Sequence, residues 1–256
     1  MTGTDPPTRP SLLEGLVDLV LPADCAVCAR PGIRLCSRCA AEVGRRLAVP
    51  RRAEEAAPAL PLGADGAPLP VTAAGTYAEE LATAVLAFKD HHALVLRPLL
   101  ADGLARTVAA ARLDPSVPAA AHALLVPVPG GAAGHRRRGY DPLGELTGAL
   151  PPAWVRRDLV VAPRLGVPRP PWEAGAASAH AGADARQRRG RDRGWRARPG
   201  RVRPGTPVLL VDDVLTTGAT LAALAAAVRV AGADPVGAVV LAAVVPPRRP
   251  RGRAEG

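Results

Sequence analysis

Residues 208–220 read VLLVDDVLTTGAT, four apolar residues running into adjacent carboxylates and then into a cluster of small hydroxyl residues around a glycine. Two like charges side by side are costly in a core, so a chain that places Asp212 and Asp213 directly after a buried strand must give them hydrogen-bond donors or a cation. In a parallel sheet covered on both faces, the carboxyl ends of the strands open onto the ligand crevice. The next turn leads into a helix whose N-terminal amides favour an anion. The pattern therefore predicts a strand over 207–211 and an Ala/Leu-rich helix over 219–231. Between them, Asp212 and Asp213 lie at a crevice beside a turn containing Thr216, Thr217, Gly218, Ala219 and Thr220. Vicinal sugar hydroxyls or their magnesium suit the carboxylates, a phosphate suits the turn, and a sugar phosphate satisfies both. A Walker-type nucleotide site is excluded because no G-x-x-x-x-G-K-[ST] loop is present, and a receiver-type phosphoacceptor site lacks its downstream lysine.

The flanking sequence supports an α/β chain with a mostly parallel, doubly wound sheet. Residues 71–77 and the run HALLVPVPGG read as strands, as do 154–161 and 236–245. Residues 78–89 place Leu81, Val85 and Phe88 on one helical face, a further helix covers 92–112, and another is expected over 140–150. Apolar strands alternating with helices argue for that sheet architecture. Residues 46–70, rich in Ala and Pro without a sustained period, read as a linker. The expected organisation is an N-terminal helix and cysteine knuckle over 1–45, the linker over 46–70, the main domain over 71–246 and a basic tail over 247–256.

All four cysteines fall within CAVCARPGIRLCSRC, as Cys25, Cys28, Cys36 and Cys39. Two CxxC knuckles facing each other close the tetrahedral thiolate site that Zn²⁺ prefers, and a site with four protein ligands is a folding staple with no open position for catalysis. Ahead of it, Ser11 and Glu14 form a capping box, and Leu12, Leu13, Leu16, Leu19 and Val20 share one face of a short helix. Glu14 and Asp18 interrupt that stretch, which is too short and too charged for a signal peptide or a membrane span, so a cytoplasmic location is the expectation.

The formal net charge of +10 predicts attraction to anions. Arginine carries nearly all of the positive charge, because Lys89 is the sole lysine. The stretch from Arg186 to Arg203 concentrates arginines. It reads equally as a hood closing over pyrophosphate, as a clamp on single-stranded DNA with Trp195 for stacking, or as a solvated loop in an arginine-biased chain. His91 and His92 are adjacent and diverge on a helix, so they are read as surface residues.

VLLVDDVLTTGAT resembles the phosphoribosyl-pyrophosphate (PRPP) binding motif of type I phosphoribosyltransferases, and the chain as a whole resembles the ComF/GntX family. That likeness rests on the leading apolar helix, the four-cysteine knuckle, YAEELATAVLAFKDHH, and PVPGGAAGHRRRGYDP. Asp141 and Pro142 depart from the family's Asn-Gln, and HAGADARQRRGRD sets His180, Arg188 and Arg191 where the family has Gln, Arg and Asn. The resemblance implies a type I phosphoribosyltransferase fold, structural zinc, and PRPP held with Mg²⁺. Asp212 and Asp213 would bind the ribose hydroxyls, directly or through the metal, and Thr216 to Thr220 would cradle the 5′-phosphate. Arg138, with Arg136 and Arg137, and Arg188 would supply cations around the pyrophosphate. Two functions follow from it. One is transfer of the 5-phosphoribosyl group to an unidentified nucleophile; the other is a non-catalytic PRPP-binding or DNA-binding factor in competence and DNA uptake, partnered by single-stranded DNA and competence-machinery proteins.

Overall fold

The computed structural model describes residues 24–63, 66–130, 139–162 and 195–245. The expected helix around Leu12 to Val20 and the basic tail over 247–256 lie outside them. The centre of the molecule is a five-stranded sheet in the order β1-β2-β7-β6-β3. Its strands are β1 (Arg51–Arg52), β2 (Val71–Thr76), β3 (Leu124–Pro127), β6 (Thr206–Leu215) and β7 (Ala233–Ala243). Strands β2, β7, β6 and β3 run parallel, and only the short edge strand β1 is antiparallel. The protein is thus mixed α/β with a mostly parallel sheet. A separate two-stranded ribbon pairs β4 (Val160–Val161) with β5 (Arg196–Ala197).

Strands buried on both faces explain the continuous apolar runs. Side-chain alternation sends Leu209, Val211, Val239 and Leu241 into one apolar layer and Val208, Leu210, Ala238 and Val240 into the other. The first layer is covered by α1 (Ser37–Arg46), α2 (Glu79–His91), α3 (Arg97–Leu113) and α4 (Pro142–Thr147). The second is covered by α5 (Ala219–Val230). In α2 the buried Leu81, Ala84, Val85 and Phe88 follow the helical period, and the chain leaves the helix through His92 in the left-handed conformation (φ 57°). A 3₁₀ turn over Leu94–Leu96 then precedes α3, which starts later than the expected 92.

Several expectations are corrected. Residues 46–70 are bound into the fold: Arg51 and Arg52 pair with Ala73 and Thr72, and Leu47, Ala57, Leu60 and Leu69 are buried. Isolated apolar residues among prolines anchor this stretch without making a period. Strand β6 does not stop at 211, because β7 continues to pair with it through Leu215. The strand expected over 154–161 is reduced to Val160–Val161, since a 3₁₀ turn occupies Pro152–Trp154 and only a single bridge joins Val155 to Leu125. Proline at the first position of α4 starts that helix at 142, and it ends at 147. Among the described residues no helix is long and apolar enough to cross a membrane.

Candidate functional site

The four cysteine sulfurs all lie within 4.8 Å of one another. Sγ of Cys36 is 3.8 Å from Sγ of Cys25 and 3.8 Å from that of Cys28. A tetrahedron of thiolates about 2.3 Å from a central zinc has edges of about 3.8 Å, so the four cysteines could hold a zinc ion. The turn Cys25–Cys28 is closed by the Ala29 amide donating to the Cys25 carbonyl, and Cys39 is fixed on the first turn of α1. Desolvation would raise the Cys25 thiol, but backbone amides of Cys36, Cys28 and Val27 outweigh it and bring the group down to about 6, toward the thiolate a metal needs. Burial and the neighbouring sulfurs push the Cys39 thiol up.

At the other candidate site, β3 ends opposite Val211, whose carbonyl accepts the Val128 amide at 2.8 Å. From Asp212 onward β6 therefore has a paired neighbour on the β7 side only. Alternation along β6 puts Asp212 on the α5 face with Val208 and Leu210, and Asp213 on the α2 face with Leu209 and Val211. Asp212 is buried, and its Oδ1 accepts the Asp213 amide at 2.9 Å. Asp213 Oδ1 accepts the Val214 amide at 2.8 Å, while Oδ2 meets Lys89 Nζ at 2.5 Å.

Desolvation, reinforced by the Asp213 charge and only partly offset by the Asp213 amide and Lys89, pushes the Asp212 carboxyl up to about 8. The folded state therefore binds more protons than the unfolded chain from about pH 4 to about pH 8. Stability falls as pH rises through that window. Asp212→Asn should abolish this slope, raising the melting temperature above pH 8 and leaving it little changed below pH 4. Thermal unfolding across pH checks it, and a mutant whose pH profile parallels the wild type would refute the burial argument.

The turn after β6 is held from an unexpected direction. Gly218 has φ +85° and precedes the first residue of α5, and a Cβ there would lie 2.8 Å from Leu60 Cγ and 3.0 Å from the Leu60 amide nitrogen. The Ala59 amide donates to the Thr217 carbonyl at 2.8 Å, and the Ala219 amide to Thr217 Oγ1 at 3.4 Å. Thr216 and Thr217 are exposed, whereas Gly218 is buried under Leu60.

The structure thus joins Asp212, Asp213 and the Thr216–Thr220 turn in one strand-to-helix corner. The cysteines form a separate cluster of their own at the amino end of α1. Sequence reasoning marked Lys89 only as the lysine after an aromatic in YAEELATAVLAFKDHH and gave it no role at the carboxylates, and it missed the Ala59–Leu60 buttress altogether. Arg136, Arg137, Arg138, His180, Arg188, Arg191 and the arginine-rich stretch from Arg186 to 194 fall outside the described residues. In the remainder of the Arg186–Arg203 stretch, Trp195 packs against the α5-side core and Arg196–Ala197 form β5.

Compared with known proteins, the chain matches no protein-family model. Over 40 residues, 16% of its length, it is 58% identical to adenine phosphoribosyltransferase from Gluconacetobacter diazotrophicus. The matched stretch is 23% of that relative's length, so the chain spans under a quarter of the curated protein it matches. This short likeness, with the mostly parallel sheet, points to a phosphoribosyltransferase-type region.

Proposed function

We propose that the chain is a phosphoribosyltransferase-like protein of the type I fold and the ComF/GntX kind, binding PRPP with Mg²⁺ and transferring its 5-phosphoribosyl group to a nucleophile. The observation that carries this reading is the corner itself, with two carboxylates on β6 just beyond the end of its neighbour β3 and a glycine-centred hydroxyl turn opening α5. Asp212 and Asp213 bind the ribose hydroxyls, and their oxygens are the hard ligands that magnesium takes. Thr216, Thr217, Gly218, Ala219 and Thr220 hold the 5′-phosphate through hydroxyls and the amides of the first turn of α5. The two carboxyl groups meet the diol in different surroundings: burial pushes Asp212 up, while the Lys89 ammonium pairs with Asp213.

Magnesium, when bound, neutralises charge on the departing pyrophosphate. The protein's part is to fix the ribose at both ends so that the anomeric carbon meets its nucleophile as the pyrophosphate leaves. Arg138 and Arg188 are assigned as cations at the pyrophosphate by family resemblance. The cysteine cluster is assigned structural zinc.

Calorimetric titration with Mg²⁺-PRPP, followed by pyrophosphate release with a panel of bases and amines, tests the reading. Binding with a raised melting temperature is expected; no heat and no thermal shift at millimolar ligand would overturn it. Asp213→Asn should weaken binding by about 1.5–3 kcal/mol, the range for a hydrogen bond to a charged group.

A further inference from the structure

Lys89 is the sole lysine in a chain with 33 basic residues, and it ends up at the candidate site rather than on a remote surface. It stands on the last turn of α2, with its ammonium 2.5 Å from Asp213 Oδ2. The pair is not a sealed core ion pair: the lysine side chain keeps 35% of its exposure and Asp213 keeps 17%. A lysine ammonium is a compact charge on a flexible stem with three donors, able to change partners without rebuilding a planar fork. The helix that carries it is firmly seated, because its neighbour Phe88 is buried and meets the Tyr140 ring edge-on at 5.9 Å. Three residues further on, His92 stacks on the same tyrosine at 4.6 Å. The helix is thus anchored while the lysine head group remains accessible.

The geometry of a 5-phosphorylated ribose then decides what the head group meets. Around the ring, the diol on C2 and C3 separates the C5 end from the C1 end. With the 5′-phosphate on the turn before α5 and the diol at the two aspartates, the C1 substituent points away from α5. The Asp213–Lys89 pair stands on the α2 side of β6, opposite the face that carries α5. Once the diol, alone or with a cation, occupies the Asp213 carboxylate, the ammonium loses its partner and needs another anion.

Building on the PRPP reading above, we propose that Lys89 is the residue that recognises the diphosphate on C1. Its ammonium neutralises Asp213 in the empty site and passes to a diphosphate oxygen when the sugar takes Asp213. Lys89 thereby makes the site selective for ribose phosphates activated at C1 over those bearing a free anomeric hydroxyl.

Two ligands separate this from a merely structural ion pair: PRPP, and ribose 5-phosphate, which has the same diol and 5′-phosphate but no diphosphate. Calorimetric titrations of wild type, Lys89→Met and Lys89→Arg are compared in the presence of Mg²⁺. Lys89→Met should lose at least about tenfold in affinity for PRPP, the fold-change equivalent of a lost charged hydrogen bond. Its affinity for ribose 5-phosphate should stay the same or rise, because Asp213 no longer has to leave a partner. Lys89→Arg should recover part of the PRPP affinity, which also shows that the position tolerates change.

An equal loss for both ligands would overturn the proposal, assigning Lys89 only to the shape of the Asp213 site. Undiminished PRPP binding by Lys89→Met would overturn it as well, while leaving the PRPP reading intact. Wild-type protein that binds neither ligand would remove both. Circular dichroism and the zinc content of each variant confirm that folded proteins are compared.

Discussion

Gly218→Val should be among the most damaging single changes in this protein, removing phosphate binding at the turn and lowering stability together. A non-glycine residue held at φ +85° costs about 1–3 kcal/mol. Its Cβ would press within 2.8 Å of Leu60, and overpacking of that kind adds roughly another 1–3 kcal/mol. Urea unfolding gives the sum. A double-mutant cycle with Leu60→Ala separates the parts: truncating Leu60 should relieve the steric share and leave the conformational share intact. If the cycle shows no coupling, Leu60 does not set the turn. If Gly218→Val unfolds with wild-type stability, the left-handed geometry itself is wrong.

Loss of metal from the cysteine cluster should be felt beyond the knuckle. Purified under reducing conditions, the protein should carry one zinc per chain by elemental analysis. Cys36→Ser should cost several kcal/mol, since removing one of four thiolates forfeits part of a metal-coupled folding term of roughly 10 kcal/mol or more. The effect spreads because α1 carries Cys39 near its start, while Val43 and the following Leu47 are fully buried in the main core. Leu47 packs against Gly103 of α3, leaving only 3.0 Å for any Cβ there. Hydrogen exchange should therefore lose protection in α1 and α3, with β6 and β7 retaining theirs. Metal-free protein with full stability and protected α1 amides would refute the assignment.

Much of the sheet could be read from the chain because its signals are local. The run Val208 to Val211 is apolar enough to be a strand buried on both faces, Leu81, Ala84, Val85 and Phe88 keep helical spacing, and paired CxxC knuckles bring sulfurs together over a few residues. The remainder depends on contacts that sequence patterns do not encode. The charges at 212 and 213 end the apolar run, yet β7 supplies hydrogen-bonding partners beyond them. Leu60 and Leu69 are single apolar residues in a proline-rich stretch, and their burial follows from where the sheet and the α5 turn leave space. The Lys89–Asp213 contact joins residues far apart in sequence, on a helix and a strand whose separate periodicities say nothing about each other.

The strand order has a further consequence for how the chain must be made. Strand β7, the last of the described strands in sequence, lies between β2 and β6 and pairs with both, while β2 and β6 do not pair with each other. Until residues 233–243 leave the ribosome, the strands of the central sheet can pair only as β1 with β2 and β3 with β6, two ribbons whose apolar edges face an empty slot. Such edges are prone to mispairing and aggregation. The central sheet therefore stays open until β7 emerges, and a stop codon before Ala233 should yield insoluble fragments rather than a smaller working domain.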